Sequence, residues 1–137
     1  LPFLIHTGIR DLESPAHAIA FAEHHPENAI IIAHAAGLKE EFLQKISSTA
    51  NVFLDCCPSF FLAEHHKDCL WNTSITNGKE IYETVLSYLT SEKILFGSDS
   101  PWGNTKKEIA TVNSLAISNE EKENIFFRNA MKIYGLV

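Results

Sequence analysis

The sequence predicts an α/β fold built from parallel (β/α) units, and three observations carry that prediction. Ala29-Ile30-Ile31-Ile32-Ala33 is a continuous, largely β-branched apolar run without polar alternation. That pattern suits a strand covered on both faces, as in a parallel sheet. Three more short apolar runs, Phe3-Leu4-Ile5, Asn51-Val52-Phe53-Leu54 and Ile94-Leu95-Phe96, are separated by stretches with helical signals. Strands that alternate with helices run parallel through right-handed crossovers. Four such units in 137 residues make either a small open sheet or half of an eight-stranded barrel.

Taken in order, the first strand ends at His6, and Thr7-Gly8 breaks it. Ser14-Pro15 starts a helix, with Ser as N-cap and Pro at the first helical position. Its expected core residues include Ile19, Ala20 and Phe21, and Pro26 stops it. The second strand ends at His34, with Gly37 beyond it. The next helix carries Leu38, Phe42, Leu43 and Ile46 on one face. The third strand runs into Asp55-Cys56-Cys57-Pro58. A long loop is expected over 59–77, holding Phe60, Phe61, His65, His66 and Trp71; loops of this length often form lids or pocket walls. Ile81, Val85, Leu86 and Leu89 mark a further amphipathic helix. After the fourth strand, Thr105-x-x-Glu108 and Ser118-x-x-Glu121 match the capping box, and each precedes a helix. Ile109, Val112 and Leu115 line the first of these, Ile125, Phe126 and Ile133 the second, and Gly135 ends the chain's last helix. The expected order is β-α-β-α-β-α-β-α-α, a single partial domain over residues 1–137 with no internal repeat or linker.

Composition narrows the class of function. With 45% hydrophobic and 20% charged residues the chain reads as a globular domain. No apolar run approaches the length of a membrane span, so no membrane partner is expected. The net charge of −6 and the scattering of 11 Lys and Arg argue against nucleic acid, which needs a clustered basic face. Three cysteines, Cys56, Cys57 and Cys69, make a poor disulfide framework and suggest a reducing, cytoplasmic compartment. No Cys-x-x-Cys spacing is present, which disfavours a structural zinc knuckle. The chain opens on Leu1 rather than Met, and we expect it to begin inside a larger protein.

The reactive residues occupy a telling set of positions. The strands end at His6, at His34, at Asp55 and Cys56, and at Asp99. In a parallel sheet all of these ends share one face, and in a barrel they converge on one pocket. Two imidazoles and a carboxylate meeting there, His6, His34 and Asp99, suit a first-row divalent metal. Zn²⁺ is the first choice because it accepts both ligand types, with Mn²⁺ the other candidate.

Leu4-Ile5-His6-Thr7-Gly8, Ile31-Ile32-Ala33-His34-Ala35-Ala36-Gly37, Asn51-Val52-Phe53-Leu54-Asp55, Leu95-Phe96-Gly97-Ser98-Asp99-Ser100-Pro101-Trp102-Gly103 and Asn129-Ala130-x-x-x-Tyr134-Gly135-Leu136 follow one another in an order that resembles the C-terminal half of an amidohydrolase-superfamily metal-dependent hydrolase. The resemblance covers nearly the whole chain except 59–77. It implies a TIM-type (β/α)₈ barrel, of which these would be strands five to eight, with one or two divalent metals at its C-terminal mouth. It implies that His6 is a metal ligand, and that His34 binds a second metal or polarises the substrate carbonyl. It implies that Asp99 is a metal ligand that also takes a proton from the activated water. The family's His-x-His pair is absent from these 137 residues; His24-His25 and His65-His66 are adjacent pairs without that spacing.

The expected function is therefore hydrolysis of an amide, ester or lactone-type bond of a small molecule by metal-activated water, with Asp99 and His34 catalytic. Two alternatives remain: non-oxidative decarboxylation of a small aromatic acid on the same site, and a catalytically incomplete half-barrel acting as an interaction module. Open strand edges would favour pairing, including with a second copy of the chain. Other residues read more plainly. Asp55 is taken to cap the turn after its strand, and Cys56 and Cys57 to be small buried residues without a paired base. His24-His25 is explained by the helix dipole, and His65-His66 as a solvated loop. Asn129 reads as a structural polar residue, and Trp102 either walls the pocket or packs under its turn.

Overall fold

The computed structural model describes residues 1–65, 69–71 and 74–136. Four strands form one sheet in the order β1 (Phe3–Ile5), β2 (Ile30–Ile32), β3 (Val52–Asp55), β4 (Ile94–Leu95), each parallel to the next. Helix α1 (Pro15–His24) joins β1 to β2, α2 (Glu40–Ser48) joins β2 to β3, and α3 (Ser59–Glu64) and α4 (Gly78–Leu86) lie between β3 and β4. After β4 come α5 (Thr105–Asn113), α6 (Asn119–Glu123) and α7 (Asn129–Tyr134), the last two continuous through a π-helical turn at Asn124–Arg128. The architecture is the α/β succession expected, in the form of a partial barrel wall. No helix among the described residues is long and apolar enough to cross a membrane.

Side chains alternate across a strand. Ile30 and Ile32, Val52 and Leu54, and Ile94 therefore point to the helices, and all are fully buried. The other face carries Leu4, Ile31 and Phe53 in register. Leu4 is 63% exposed there. Helices thus cover one face of this sheet and leave part of the other open. Helix α1 meets the core through Ala18, Ile19 and Ala22. Ala20 and Phe21, expected inside, are exposed, and Phe21 instead makes an edge contact with Phe3 at 5.7 Å. Helix α2 buries Phe42, Leu43 and Ile46 as its periodicity predicts.

The N-terminal ends of the strands are fastened by side chains bonded to carbonyls. Asn51 Nδ2 donates to Ala22, His25 and Asn28. Lys93 Nζ donates to Thr49, Ala50 and Val52. Asn129 Nδ2 donates to Ser91 and Ile94 at 2.7 Å each, which makes it structural as expected. These bonds satisfy helix-end and turn carbonyls that would otherwise be orphaned, and they leave the opposite end of the sheet for chemistry.

Several local expectations are corrected. The segment 59–77 is not loop throughout, because Ser59–Glu64 is helix α3. Strand β4 stops at Leu95, and the Phe96 amide leaves the ladder for the Ile125 carbonyl at 2.8 Å. The Ser118–Glu121 capping box forms, whereas the Thr105–Glu108 one does not. Asn104 caps α5 by accepting from the Lys107 amide, and Glu108 is fully buried. Its Oε2 accepts the Ser59 hydroxyl at 2.7 Å, while its Oε1 is buried without a hydrogen-bond partner among the described residues. A tertiary partner has displaced a local one, and α5 thereby anchors the start of α3. Ile109, expected on the inner side of α5, is 41% exposed, while Val112 and Leu115 are buried. Gly135 closes α7 in the left-handed conformation at φ 65°.

Candidate active site

The C-terminal ends of the four strands open into a cleft of about 320 Å³. His6, His34 and Asp99 all line it, together with Arg10, Phe61 and Trp102. His6 follows β1 directly, so the pleat that sends Ile5 to the helices sends His6 to the opposite face. His34 follows β2 after Ala33, whose carbonyl accepts the Thr7 hydroxyl at 2.7 Å and ties the first two strand ends together.

His34 sits at the start of an unusual turn. His34, Ala35, Ala36, Gly37 and Leu38 all have φ between 49° and 62°. Five successive left-handed residues form one left-handed turn, although such residues normally occur singly. The result aims the imidazole across the sheet. His34 Nδ1 lies 2.7 Å from the Cys57 carbonyl, and Nε2 lies 3.0 Å from His6 Nδ1, with the rings edge to face. A carbonyl only accepts, so His34 Nδ1 carries a proton. In the neutral ring Nε2 then accepts from His6 Nδ1–H, leaving His6 Nε2 as a lone pair.

Asp99 lies four residues beyond β4 rather than at its last residue. Its φ of 49° is one that Asp tolerates. The Gly103 amide donates to the Asp99 carbonyl at 2.9 Å and closes the turn. A Cβ at Gly103 would collide with the Ser98 carbonyl, so the turn needs glycine there. Trp102, 78% exposed, overhangs the cleft instead of packing under the turn.

Asp55 is buried and caps its turn, its Oδ1 accepting the Cys57 amide at 2.6 Å. Burial raises its carboxyl above the ordinary range, opposed by that hydrogen bond and by the nearby His34. Burial likewise pushes the Cys56 and Cys57 thiols up, with Asp55 adding to it. Both are therefore poor nucleophiles. His24 Nδ1 bonds the Ala20 carbonyl at 2.7 Å within α1's last turn, as the dipole reading expects. His65 stacks on Phe61 at 4.1 Å, and His66 lies outside the described residues.

The structure thus brings the two predicted imidazoles into contact and sets Asp99 in the same cleft. Among the described residues, no group of three or more His, Cys, Asp or Glu is close enough to hold a metal ion. The donors present fit part of a divalent site: His6 Nε2 offers a lone pair and Asp99 lines the same cleft, while His34 Nε2 could ligate once it gives up its bond to His6. Phe61 lines the cleft, as expected of a segment read as a pocket wall, whereas the left-handed turn and Arg10 carried no signal in the sequence. Ala35-Ala36 carries no signal for positive φ, and only Gly37 hinted at a turn.

A family model described as amidohydrolase matches residues 1–136. No curated protein matches the chain. Among solved structures, amidohydrolase 2 from Bifidobacterium longum subsp. infantis superposes with a TM-score of 0.67 at 23% identity, over 98% of this chain and 50% of that one. A dihydroxybenzoic acid decarboxylase from a Polaromonas species, solved with manganese and 2-nitroresorcinol, gives 0.68 at 14% identity, over 99% and 50%. The 5-carboxyvanillate decarboxylase of Sphingomonas paucimobilis gives 0.67 at 11%, over 98% and 49%. At these identities the likeness is one of fold. The chain spans about half the length of these solved relatives. By its match to the family model over nearly every residue, the chain belongs to the amidohydrolase family.

Proposed function

We propose that this chain carries one half of a metal-dependent catalytic site, acting as a hydrolase on an amide, ester or lactone-type bond of a small molecule. The observation that carries the reading is the convergence of His34 Nε2 on His6 Nδ1 at 3.0 Å in a cleft that Asp99 also lines. His6, His34 and Asp99 would hold a divalent ion, zinc or manganese, the set being completed from outside the described residues. When bound, the ion acts as a Lewis acid towards water or a substrate oxygen. Asp99, which makes no side-chain hydrogen bond among the described residues, accepts and returns a proton at its carboxylate. The Cys57 carbonyl holds the His34 ring in place, so that the ring meets its target without reorganisation. Phe61, Leu62 and Pro58 form an apolar wall that orients substrate.

A second reading has its own observation. Phe61 and Trp102 flank the cleft and Arg10 stands at its rim, an arrangement suited to a flat aromatic anion. Non-oxidative decarboxylation of a small aromatic acid fits that arrangement. Free cysteines fit a reducing, cytoplasmic setting, and the partly open sheet face fits pairing with a second copy or another chain.

Metal analysis by mass spectrometry tests the central claim. The full-length protein is expected to hold a stoichiometric divalent ion that Asp99→Ala and His6→Ala lose. A full-length protein without metal after growth with zinc and manganese would sink the enzyme reading and favour the interaction module.

A further inference from the structure

The left-handed turn at His34–Leu38 needs an external hold. Four of its five residues carry a Cβ, and L-residues occupy this region at a cost each time. Ala35, Ala36 and Gly37 are buried. Over Gly37 lies the side chain of Trp71. The Trp71 amide donates to the Gly37 carbonyl at 2.9 Å. Its ring lies so close over Gly37 that a Cβ there would overlap it. The ring is held in turn by the edge of Phe42 at 5.7 Å and by Lys39 Nζ, 5.4 Å above it. At the start of the same turn stands His34, with its two ring contacts to the Cys57 carbonyl and His6.

We propose that Trp71 is a positioning residue for His34: by clamping Gly37 it holds the left-handed turn that aims the imidazole at the Cys57 carbonyl and at His6. Trp71 does not line the cleft with His6 and His34, so it acts only through the turn. Without the ring, the strained residues relax towards right-handed or extended backbone. Because His34 is the turn's first residue, that relaxation swings its side chain away from Cys57. The inference depends on the metal-dependent reading only for the importance of His34. Its test reads the imidazole itself, so the two can fail separately.

The test is proton exchange at His34 Nδ1–H, followed by nitrogen-15 NMR on chelator-treated protein. In the wild type the proton bonded to the Cys57 carbonyl exchanges slowly. Trp71→Ala is expected to speed its exchange at least tenfold while the fold persists, and Trp71→Phe, which keeps a flat ring on Gly37, restores most of the protection. If Trp71→Ala does not fold, Trp71→Leu, which fills volume without a flat face, takes its place with the same expected loss. A folded Trp71→Ala or Trp71→Leu protein with unchanged His34 exchange and only a lower melting temperature overturns the proposal. So does a Phe variant that protects no better than Ala.

Discussion

His34 Nε2 lies 3.0 Å from His6 Nδ1, and the second nitrogen of His34 is spoken for by the Cys57 carbonyl at 2.7 Å. The chain carbonyl–His34–His6 therefore sets the tautomer of both rings from one fixed acceptor. Of the four ring nitrogens, His6 Nε2 is the one with a lone pair unclaimed among the described residues. A backbone atom of the loop after β3 thus determines which nitrogen of a residue after β1 is ready to bind a ligand.

Removing the middle of that relay should change its end. In His34→Ala, His6 Nδ1 loses its acceptor, and the ring should revert to the Nε2–H tautomer that isolated imidazoles prefer. Nitrogen-15 shifts of the His6 ring, measured without metal at a pH where the ring is neutral, report this directly. A His6 spectrum identical in wild type and variant would show that the 3.0 Å contact does not set the tautomer.

Ala36 and Ala22 are both completely buried, but Ala36 has φ 49° and Ala22 lies in helix α1. Replacing either with glycine removes the same methyl group. Glycine relieves a left-handed position and weakens a helical one. Ala36→Gly should therefore cost less than Ala22→Gly, by on the order of 1–2 kcal/mol. Urea denaturation of the two variants decides it, and equal costs would mean that the turn is not strained.

Cys56 and Cys57 are 0% and 4% exposed, and burial raises both thiols, whereas Cys69 is half-buried at the cleft. Thiolate is the reactive form. A chromogenic disulfide reagent should count one thiol in the native protein and three in denaturant. Rapid reaction of a second native thiol would show that the strand-end loop opens readily.

What could be read from the sequence follows physical range. The strands were legible because a buried parallel strand is marked by its own run, as in Ile30-Ile31-Ile32. The meeting of His6 and His34 was legible because parallel strands end on one face. Helix α3 was not, because six residues make fewer than two turns and show no periodicity. The role of Glu108 was misread because its partner, Ser59, lies 49 residues away, and Thr105-x-x-Glu108 matches a local motif equally well. The turn at Ala35-Ala36 was invisible because neither residue favours positive φ, and the Trp71 ring that lies over Gly37 is 34 residues away in sequence.

Glu108 also gives the molecule a pH dependence. Burial raises its carboxyl above the ordinary 4.5, with nearby Asp55 acting in the same sense, against hydrogen bonds from the Ser59 hydroxyl and the Phe60 and Ser59 amides. Between 4.5 and the raised native value, the folded state binds a proton that the unfolded state has released. Stability from this group is therefore complete below 4.5 and falls as pH rises through that window, by up to about 1.4 kcal/mol per pH unit. Glu108→Gln keeps the shape and an oxygen for the Ser59 hydroxyl, but cannot ionise. Its stability relative to wild type should rise with pH across the window and then level off. Asp55, raised in the same direction, titrates in both proteins, so the difference curve reports Glu108 together with its coupling to Asp55. Glu108→Ala should instead cost about 1–3 kcal/mol below the window, because it strands the Ser59 hydroxyl at the start of α3, and that cost should shrink as pH rises through the window, since Ala cannot ionise either. Chemical denaturation of the three proteins from pH 4 to pH 8 checks both expectations, and a flat Gln-minus-wild-type curve would show that Glu108 ionises as freely in the fold as outside it.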